Sequence, residues 1–293
     1  MIEIKLCPIC QSTDWYKSLR VADHFISKET FQLIECKHCT FVATSPQPNE
    51  EILPTYYQSD NYISHSNQAT NLINFIYLIA RNISLRWKLR LIKNLKPVVS
   101  LLDIGCGTGS FLQIAKEHGT HVSGVEPNDE ARKKAEGQLN QIIFNSLDKV
   151  QGCFDVITLW HVLEHVPDLN KSIKKINDLL TKDGYLLIAV PNHASEDSKK
   201  YGFYWAGYDA PRHLWHFNQK SMALLLQKHG LKVEKKIPMK LDAYYVSMLS
   251  EKYKKQGKNG LMSLLNGIIS GLSSNFNARK SGEYSSLIYI ARK

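Results

Sequence analysis

The stretch Leu101-Leu-Asp-Ile-Gly-Cys-Gly-Thr-Gly-Ser-Phe-Leu112 constrains the fold of this 293-residue chain more than any other. The apolar run 98–102 reads as a buried strand, with Asp103 at its end. Gly105, Gly107 and Gly109 follow at alternate positions, and Phe111, Leu112, Ile114 and Ala115 then recur at helical spacing. Strand, glycine turn and helix together suit a nucleotide-like ligand. The glycines let the backbone approach closely, and the helix N-terminus offers free N–H groups.

Beyond this turn the chain alternates between strand and helix signals. Strands are expected over 121–126, 141–144, 154–160 and 184–190, with helices over 129–139 and 168–180. Such alternation predicts an α/β fold with a doubly wound parallel sheet, whose ligands sit at the C-terminal strand ends. Asp103, Glu126, Ser146, Trp160, His161 and Pro191 all fall there. The glycine pattern alone also suits a nicotinamide dinucleotide. A carboxylate directly before the turn has no use beside a pyrophosphate. It would favour the ammonium and sulfonium of S-adenosylmethionine.

Four segments in order resemble the motifs of class I S-adenosylmethionine-dependent methyltransferases: Leu101 to Gly109, Val125-Glu126-Pro127, the segment 154–166, and Leu179-Leu-Thr-Lys-Asp-Gly-Tyr-Leu-Leu-Ile188. The resemblance implies a Rossmann-like seven-stranded sheet with an antiparallel last strand, here 285–291 beside 231–237. It implies S-adenosyl-L-methionine as methyl donor and S-adenosyl-L-homocysteine as bound product. By position, Gly105, Gly107 and Gly109 would cradle the methionine part and ribose. Asp103 would orient the loop and the amino group, and Glu126, followed by Pro127, would take the ribose hydroxyls. Ser146 and Leu147 match the adenine site, and Trp160 and His161 the methionine end.

Ahead of this domain, Cys7-Pro-Ile-Cys10 and Cys36-Lys-His-Cys39 form two CxxC pairs with 25 residues between them. Thiolates at that doubled spacing suit a tetrahedral structural zinc, and the strand-forming residues between them suggest a small zinc ribbon. The expected organisation is a ribbon over 1–48, a helical linker or cap over 49–97, and a methyltransferase domain over 98–293 with a helical insertion at about 242–275. Tyr56, Tyr57, Tyr62 and His65 lie near the join of the modules, where they would either line a substrate entrance or pack the modules together.

The chemistry beyond the cofactor has three candidate groups. His161, Glu164 and His165 share one helical face by spacing. They resemble the Glu-x-x-Glu-His metal site of small-RNA 3′-end and quinone-pathway O-methyltransferases, with His161 replacing the first Glu. The segment Asp209-Ala-Pro-Arg-His-Leu-Trp-His-Phe-Asn218 brings His213 and His216 near the strand ends, and Asn218 can cap the next helix. His213 is the preferred base, with His165 and His216 as further candidates, and Arg212 would hold a substrate anion. The aromatic segment 201–208 would stack on a sugar or planar ring. A ribbon ahead of a methyltransferase domain resembles deoxysugar C-methyltransferases, which carry a histidine where His213 lies, preceded by Glu rather than Arg212.

The expected acceptor is therefore a small molecule: a hydroxyl of a sugar, glycoconjugate or secondary metabolite, nucleotide- or lipid-linked forms included. RNA or protein methylation with the ribbon gripping the polymer, and a non-catalytic cofactor-binding scaffold, are the alternatives. The formal charge of +10 allows an anionic partner, but the lysines are scattered and no nucleic-acid motif stands out. No run of about 20 apolar residues is present for a bilayer span. The opening residues lack a signal-peptide core, which makes the expected compartment cytoplasmic and the six cysteines free or metal-bound. The apolar helices in the 242–275 insertion suggest a lid, a homodimer surface or a peripheral membrane contact.

Overall fold

The structure is a computed structural model and describes residues 1–49, 51–57, 72–97, 100–255 and 260–293. Tyr62 and His65 lie outside the described residues. Two compact units emerge. One comprises Met1–Gln58, His161–Asn170 and Ile188–Ile290, and the other Ser59–Trp160, Lys171–Leu187 and Ala291–Lys293.

In the second unit, helix α1 (Leu72–Lys93) precedes strand β4 (Ser100–Ile104). The glycine turn then leads into α2 (Ser110–Glu117), β5 (His121–Val125), α3 (Asp129–Leu139) and β6 (Phe154–Trp160), followed by α4 (Leu169–Leu179) and β7 (Leu180–Pro191). β4 pairs in parallel with both β5 and β6. Leu101, Leu102, Val156 and Ile157 are fully buried, as befits strands covered on both faces. The expected strand at 141–144 shrinks to a single parallel bridge between Val125 and Phe144. Asn128 caps α3 by accepting the Ala131 N–H.

The sheet order is β5-β4-β6-β7-β10-β9, where β9 is Lys232–Pro238 and β10 is Ser286–Arg292. Six strands thus form among the described residues, and the Phe144 bridge marks the edge where a seventh was expected. The two C-terminal strands fall within one residue of their expected places.

The first unit holds a second sheet, β1-β2-β3-β8, from Trp15–Ala22, Thr30–Cys36, Val42–Thr44 and Trp215–His216. The N-terminal ribbon supplies three of these strands. The fourth comes from the loop that carries His213, through the antiparallel pairs Val42–His216 and Ala43–Trp215. This unit also contains the short helix α5 (Glu196–Tyr201), helix α6 (Gln219–Lys228), and the hairpin α7 (Lys240–Lys254) and α8 (Leu261–Ser281). Asn218 and Ser221 form a capping box on α6.

Candidate active site

On the cofactor side, Gly105, Gly107 and Gly109 adopt φ of +71°, +55° and +81°, in the left-handed region that favours glycine. Val125 O accepts both the Gly105 and the Cys106 N–H, which folds the turn back onto β5. A Cβ on Gly109 would press on Ala135 and Leu139 at 3.1–3.2 Å, so close helix packing demands this glycine. A Cβ on Gly107 would meet nothing within 4 Å, so the loop is open at that point. Glu126 closes the turn from the next strand, one oxygen accepting the Gly107 N–H at 2.8 Å and the other the Asn128 N–H at 2.9 Å.

Asp103 is 3% exposed and accepts a hydrogen bond from the Thr158 hydroxyl at 2.6 Å. Burial pushes its carboxyl up to about 7, against the lowering effect of Thr158 and Lys88. A nearby cation would restore its charge. The Lys88 ammonium lies 4.3 Å from the centre of the Trp160 ring, and Phe111 meets the same ring edge-on. The buried Trp160 indole N–H has no partner among the described residues. Ser146 caps a short 3-10 turn over Leu147–Lys149. An open cradle, an orphaned donor and a carboxyl waiting for a cation all fit an S-adenosylmethionine site. When bound, that cofactor supplies an electrophilic methyl group on its sulfonium.

The histidine cluster belongs to the first unit. His161 stands in the left-handed region, at φ +58°. Its Nε2 lies 3.0 Å from Asp242 and its Nδ1 3.4 Å from Glu164. Burial opposes its charge, but Asp242 and then Glu164 outweigh burial and raise it to about 10. His161 is therefore an imidazolium clamped between two carboxylates. Glu164 is 1% exposed, and neither of its oxygens accepts a hydrogen bond from a described group. Burial would raise its pKa, yet the ion pair with His161 keeps it below the usual range.

His213 Nδ1 lies 2.9 Å from the Gly207 carbonyl. A carbonyl only accepts, so Nδ1 carries a proton, and in the neutral ring Nε2 is the nitrogen with the lone pair. His165 Nδ1 likewise donates to the Arg212 carbonyl at 3.0 Å, with the Tyr57 hydroxyl at the same distance. Burial and the neighbouring His213 hold His165 down at about 4, and the two rings meet edge to face with centroids 4.6 Å apart. Glu164, His165 and His213 present atoms within 4.8 Å of one another, close enough to hold a metal ion. His161, at the first position of the Glu-x-x-Glu-His pattern, is not part of this converging set, and its two ring nitrogens face Glu164 and Asp242 instead.

His216 is 3% exposed, and burial holds its pKa well below the ordinary value. Its Nε2 donates to the Thr44 hydroxyl at 3.1 Å, which donates in turn to the His213 carbonyl at 2.8 Å. His216 thus fixes the loop through a ribbon residue. Pro191, His193, Trp205, Gly207, His213, Trp215 and His216 pack closely around one tight recess.

Two expectations are corrected. Arg212 does not face a substrate. It is 1% exposed, bonds both oxygens of Asp209, and donates to Asp23 at 2.9 Å and to the Tyr56 carbonyl at 3.1 Å. Of the aromatic segment, Tyr201, Trp205 and Tyr208 are core, packed with Val21, Phe31, Leu33, Val42 and Tyr56. The Trp205 indole donates to Asp197 and the Tyr201 hydroxyl to Glu251. Only Phe203 is left substantially exposed, at 50%. The residue that sequence reasoning missed is Asp242, which looked like the first acid of an ordinary helix.

In the ribbon, Cys7 and Cys39 sulfurs lie 3.4 Å apart and Cys10 and Cys36 sulfurs 3.5 Å apart. All four lie within 4.8 Å of one another. A tetrahedral zinc with Zn–S near 2.3 Å needs sulfurs about 3.8 Å apart, so the four cysteines fit a structural zinc. The Cys39 thiol holds Cys7 below the usual thiol range.

Comparison with known proteins agrees. A family model described as a methyltransferase domain matches residues 75–236. The chain belongs to this methyltransferase family. Ubiquinone biosynthesis O-methyltransferases are similar over part of the chain. The protein from Coxiella burnetii (strain Dugway 5J108-111) is 35% identical over 101 residues, covering 31% of this chain and 43% of that protein. The one from Actinobacillus pleuropneumoniae serotype 7 (strain AP76) is 38% identical over 106 residues, covering 31% and 45%. The chain thus spans less than half the length of the curated relatives it matches. Among solved structures, the cyclopropane synthase MmaA2 from Mycobacterium tuberculosis matches with TM-score 0.54 and 13% identity, over 85% of this chain and 100% of that one. Magnesium protoporphyrin IX methyltransferase from Synechocystis PCC 6803, solved with bound S-adenosylhomocysteine, gives 0.54 and 14%, over 84% and 100%. Both share the fold.

Proposed function

We propose that this methyltransferase acts on a hydroxyl of a small-molecule acceptor (a sugar, glycoconjugate or secondary metabolite) in the cytoplasm, with His213 as general base. The observation that carries this reading is the Gly207 carbonyl, which fixes the His213 tautomer with Nε2 as acceptor. Methyl transfer is an in-line displacement, so the protein chiefly aligns donor and acceptor and removes one proton. Nε2 takes that proton as the acceptor oxygen attacks. The ionised Glu164 beside it stabilises the imidazolium that forms. Asp103, the glycines of the turn, Glu126-Pro127, Ser146-Leu147 and Trp160 hold the cofactor in this reading. His161 acts on Glu164 rather than on cofactor. The ribbon's third strand pairs with the His213 segment, and Thr44 and Gln47 bond its carbonyls. That internal use favours a small acceptor over a polymer gripped by the ribbon.

The test is a turnover assay with methyl-labelled S-adenosylmethionine against hydroxylated glycosides, quinols and catechols, with RNA and peptide pools alongside. Label on a small acceptor, no need for added Mg²⁺, and a loss of about 10²-fold or more in His213→Ala are expected. Label on RNA or peptide alone, or full turnover in His213→Ala, would overturn the proposal.

A further inference from the structure

Helices α7 and α8 are built inside out. An amphipathic helix on a soluble domain turns its large apolar residues inward. Here α8 buries Ser263, Gly267, Ser270, Gly271, Ser274 and Ala278. Met262, Leu265, Ile269, Leu272 and Phe276 on its other side are 45–65% exposed. At about 100° per residue, these five fall within an arc of roughly 80°, opposite the buried seam. Helix α7 repeats the pattern, with Ala243, Ser247 and Ser250 buried and Leu241 67% exposed.

The seam brings two backbones together. A Cβ on Gly267 would lie 2.7 Å from Met248 Cα, and one on Gly271 2.8 Å from Tyr244 Cα. Small residues at four-residue spacing are how helices pack where the surroundings are apolar and large side chains gain nothing by turning inward.

Charge is sorted the same way. The carboxylate of Asp242 pairs with His161, and that of Glu251 is buried and accepts from Tyr201. The exposed charged residues of the two helices are all cationic: Lys240, Lys252, Lys254, Arg279 and Lys280. Arg279 and Lys280 fall on either side of the apolar stripe at its C-terminal end.

We propose that the outer face of the α7–α8 hairpin docks on an anionic lipid bilayer surface. No helix among the described residues is long and apolar enough to cross a membrane. The hairpin therefore lies in the interface, with its stripe at the acyl boundary and its lysines and arginine on lipid phosphates. A second copy of the chain suits the face less well, because an isologous pairing would set the cationic rim against itself.

The experiment uses the whole chain and sedimentation with vesicles of phosphatidylcholine, alone or mixed with phosphatidylglycerol. Salt-sensitive binding to the mixed vesicles is expected, with little binding to neutral ones. The double variant Leu265→Ser/Ile269→Ser should bind them about ten-fold less or weaker still, with an unchanged melting temperature because both side chains are exposed. Arg279→Glu/Lys280→Glu should lose the preference for anionic lipid. Absence of vesicle binding, or equal binding by the serine variant, would overturn the proposal. So would a dimer in solution that does not bind vesicles and that the serine variant splits into monomers, which would give the face to a second copy.

Discussion

Replacing Arg212 by methionine tests whether this residue serves the fold rather than a substrate. Its guanidinium and the Asp23 carboxylate are 1% and 0% exposed as side chains, and Asp209 is 27% exposed. Methionine fills the volume but leaves both carboxylates without their cation. Breaking a buried pair from one side costs about 3–5 kcal/mol. A separate measure comes from Asp23. Burial would raise its carboxyl, but Arg212 and the Ser27 N–H hold it at about 2, against 3.8 for a free group. That difference is worth about 2.5 kcal/mol, part of it from the backbone donors that the variant keeps. A depressed carboxylate contributes stability that is present above its unfolded pKa and is lost as pH falls towards the folded one. In wild type, this loss falls between about pH 4 and pH 2. In Arg212→Met the carboxyl moves up, so the deficit is full near neutrality and narrows on acidification. Urea unfolding by fluorescence at several pH values measures both effects. Arg212→Lys should be intermediate, since an ammonium restores the charge without the two-pronged geometry. A variant within about 1 kcal/mol of wild type at neutral pH, or a deficit independent of pH, would refute the reasoning.

Three further outcomes follow from the geometry. The Asp103 carboxyl titrates near 7, so the folded state favours its neutral form at low pH. Binding of S-adenosylhomocysteine, whose ammonium favours the carboxylate, should release a proton at about pH 6 and none at about pH 9, as calorimetry in two buffers would show. Asp103→Asn should weaken binding about ten-fold more at the higher pH, and an equal effect at both would remove Asp103 from the cofactor's reach. Freshly purified protein should carry about one zinc per chain by atomic spectroscopy, and Cys39→Ser should lose the metal together with several degrees of melting temperature. Lys88 already covers the Trp160 ring with a cation. Lys88→Met should therefore tighten cofactor binding about three-fold or more, read by the quenching of tryptophan fluorescence.

The parts of the molecule legible in the sequence are those whose signal is local. Strand β6 and helix α3 begin and end at the expected residues, because apolar runs, an Asn cap and a following turn mark them. The four cysteines converge as their doubled spacing required. Segment 141–144 failed as a strand because a single ladder contact at a sheet edge cannot fix four residues. Arg212 and the aromatic segment failed for a different reason. Charge and aromaticity reveal an appetite for partners but not which partners, and Asp23 lies 189 residues from Arg212 in the sequence. Asp242 was invisible on the same grounds, since nothing nearby marks it as the partner of His161.

The ribbon's purpose follows from those distant contacts. Asp23 lies just beyond β1 and Thr44 ends β3, and each grips one end of the dipeptide Arg212-His213: the guanidinium by Asp23, the His213 carbonyl by Thr44. Gln47 adds a bond to the Leu214 carbonyl, and β3 pairs with Trp215 and His216. The base proposed above must be held to within a fraction of an ångström, and a loop alone has too much freedom for that. A ribbon this short cannot build a rigid core from its own apolar residues, so a metal staple is the economical means of stiffening it. A zinc held by the four cysteines would stiffen β3 and, through its pairing with Trp215 and His216, the segment that carries His213. Zinc loss should accordingly lower turnover before it lowers cofactor affinity, since Asp103 and the glycine turn belong to the other compact unit.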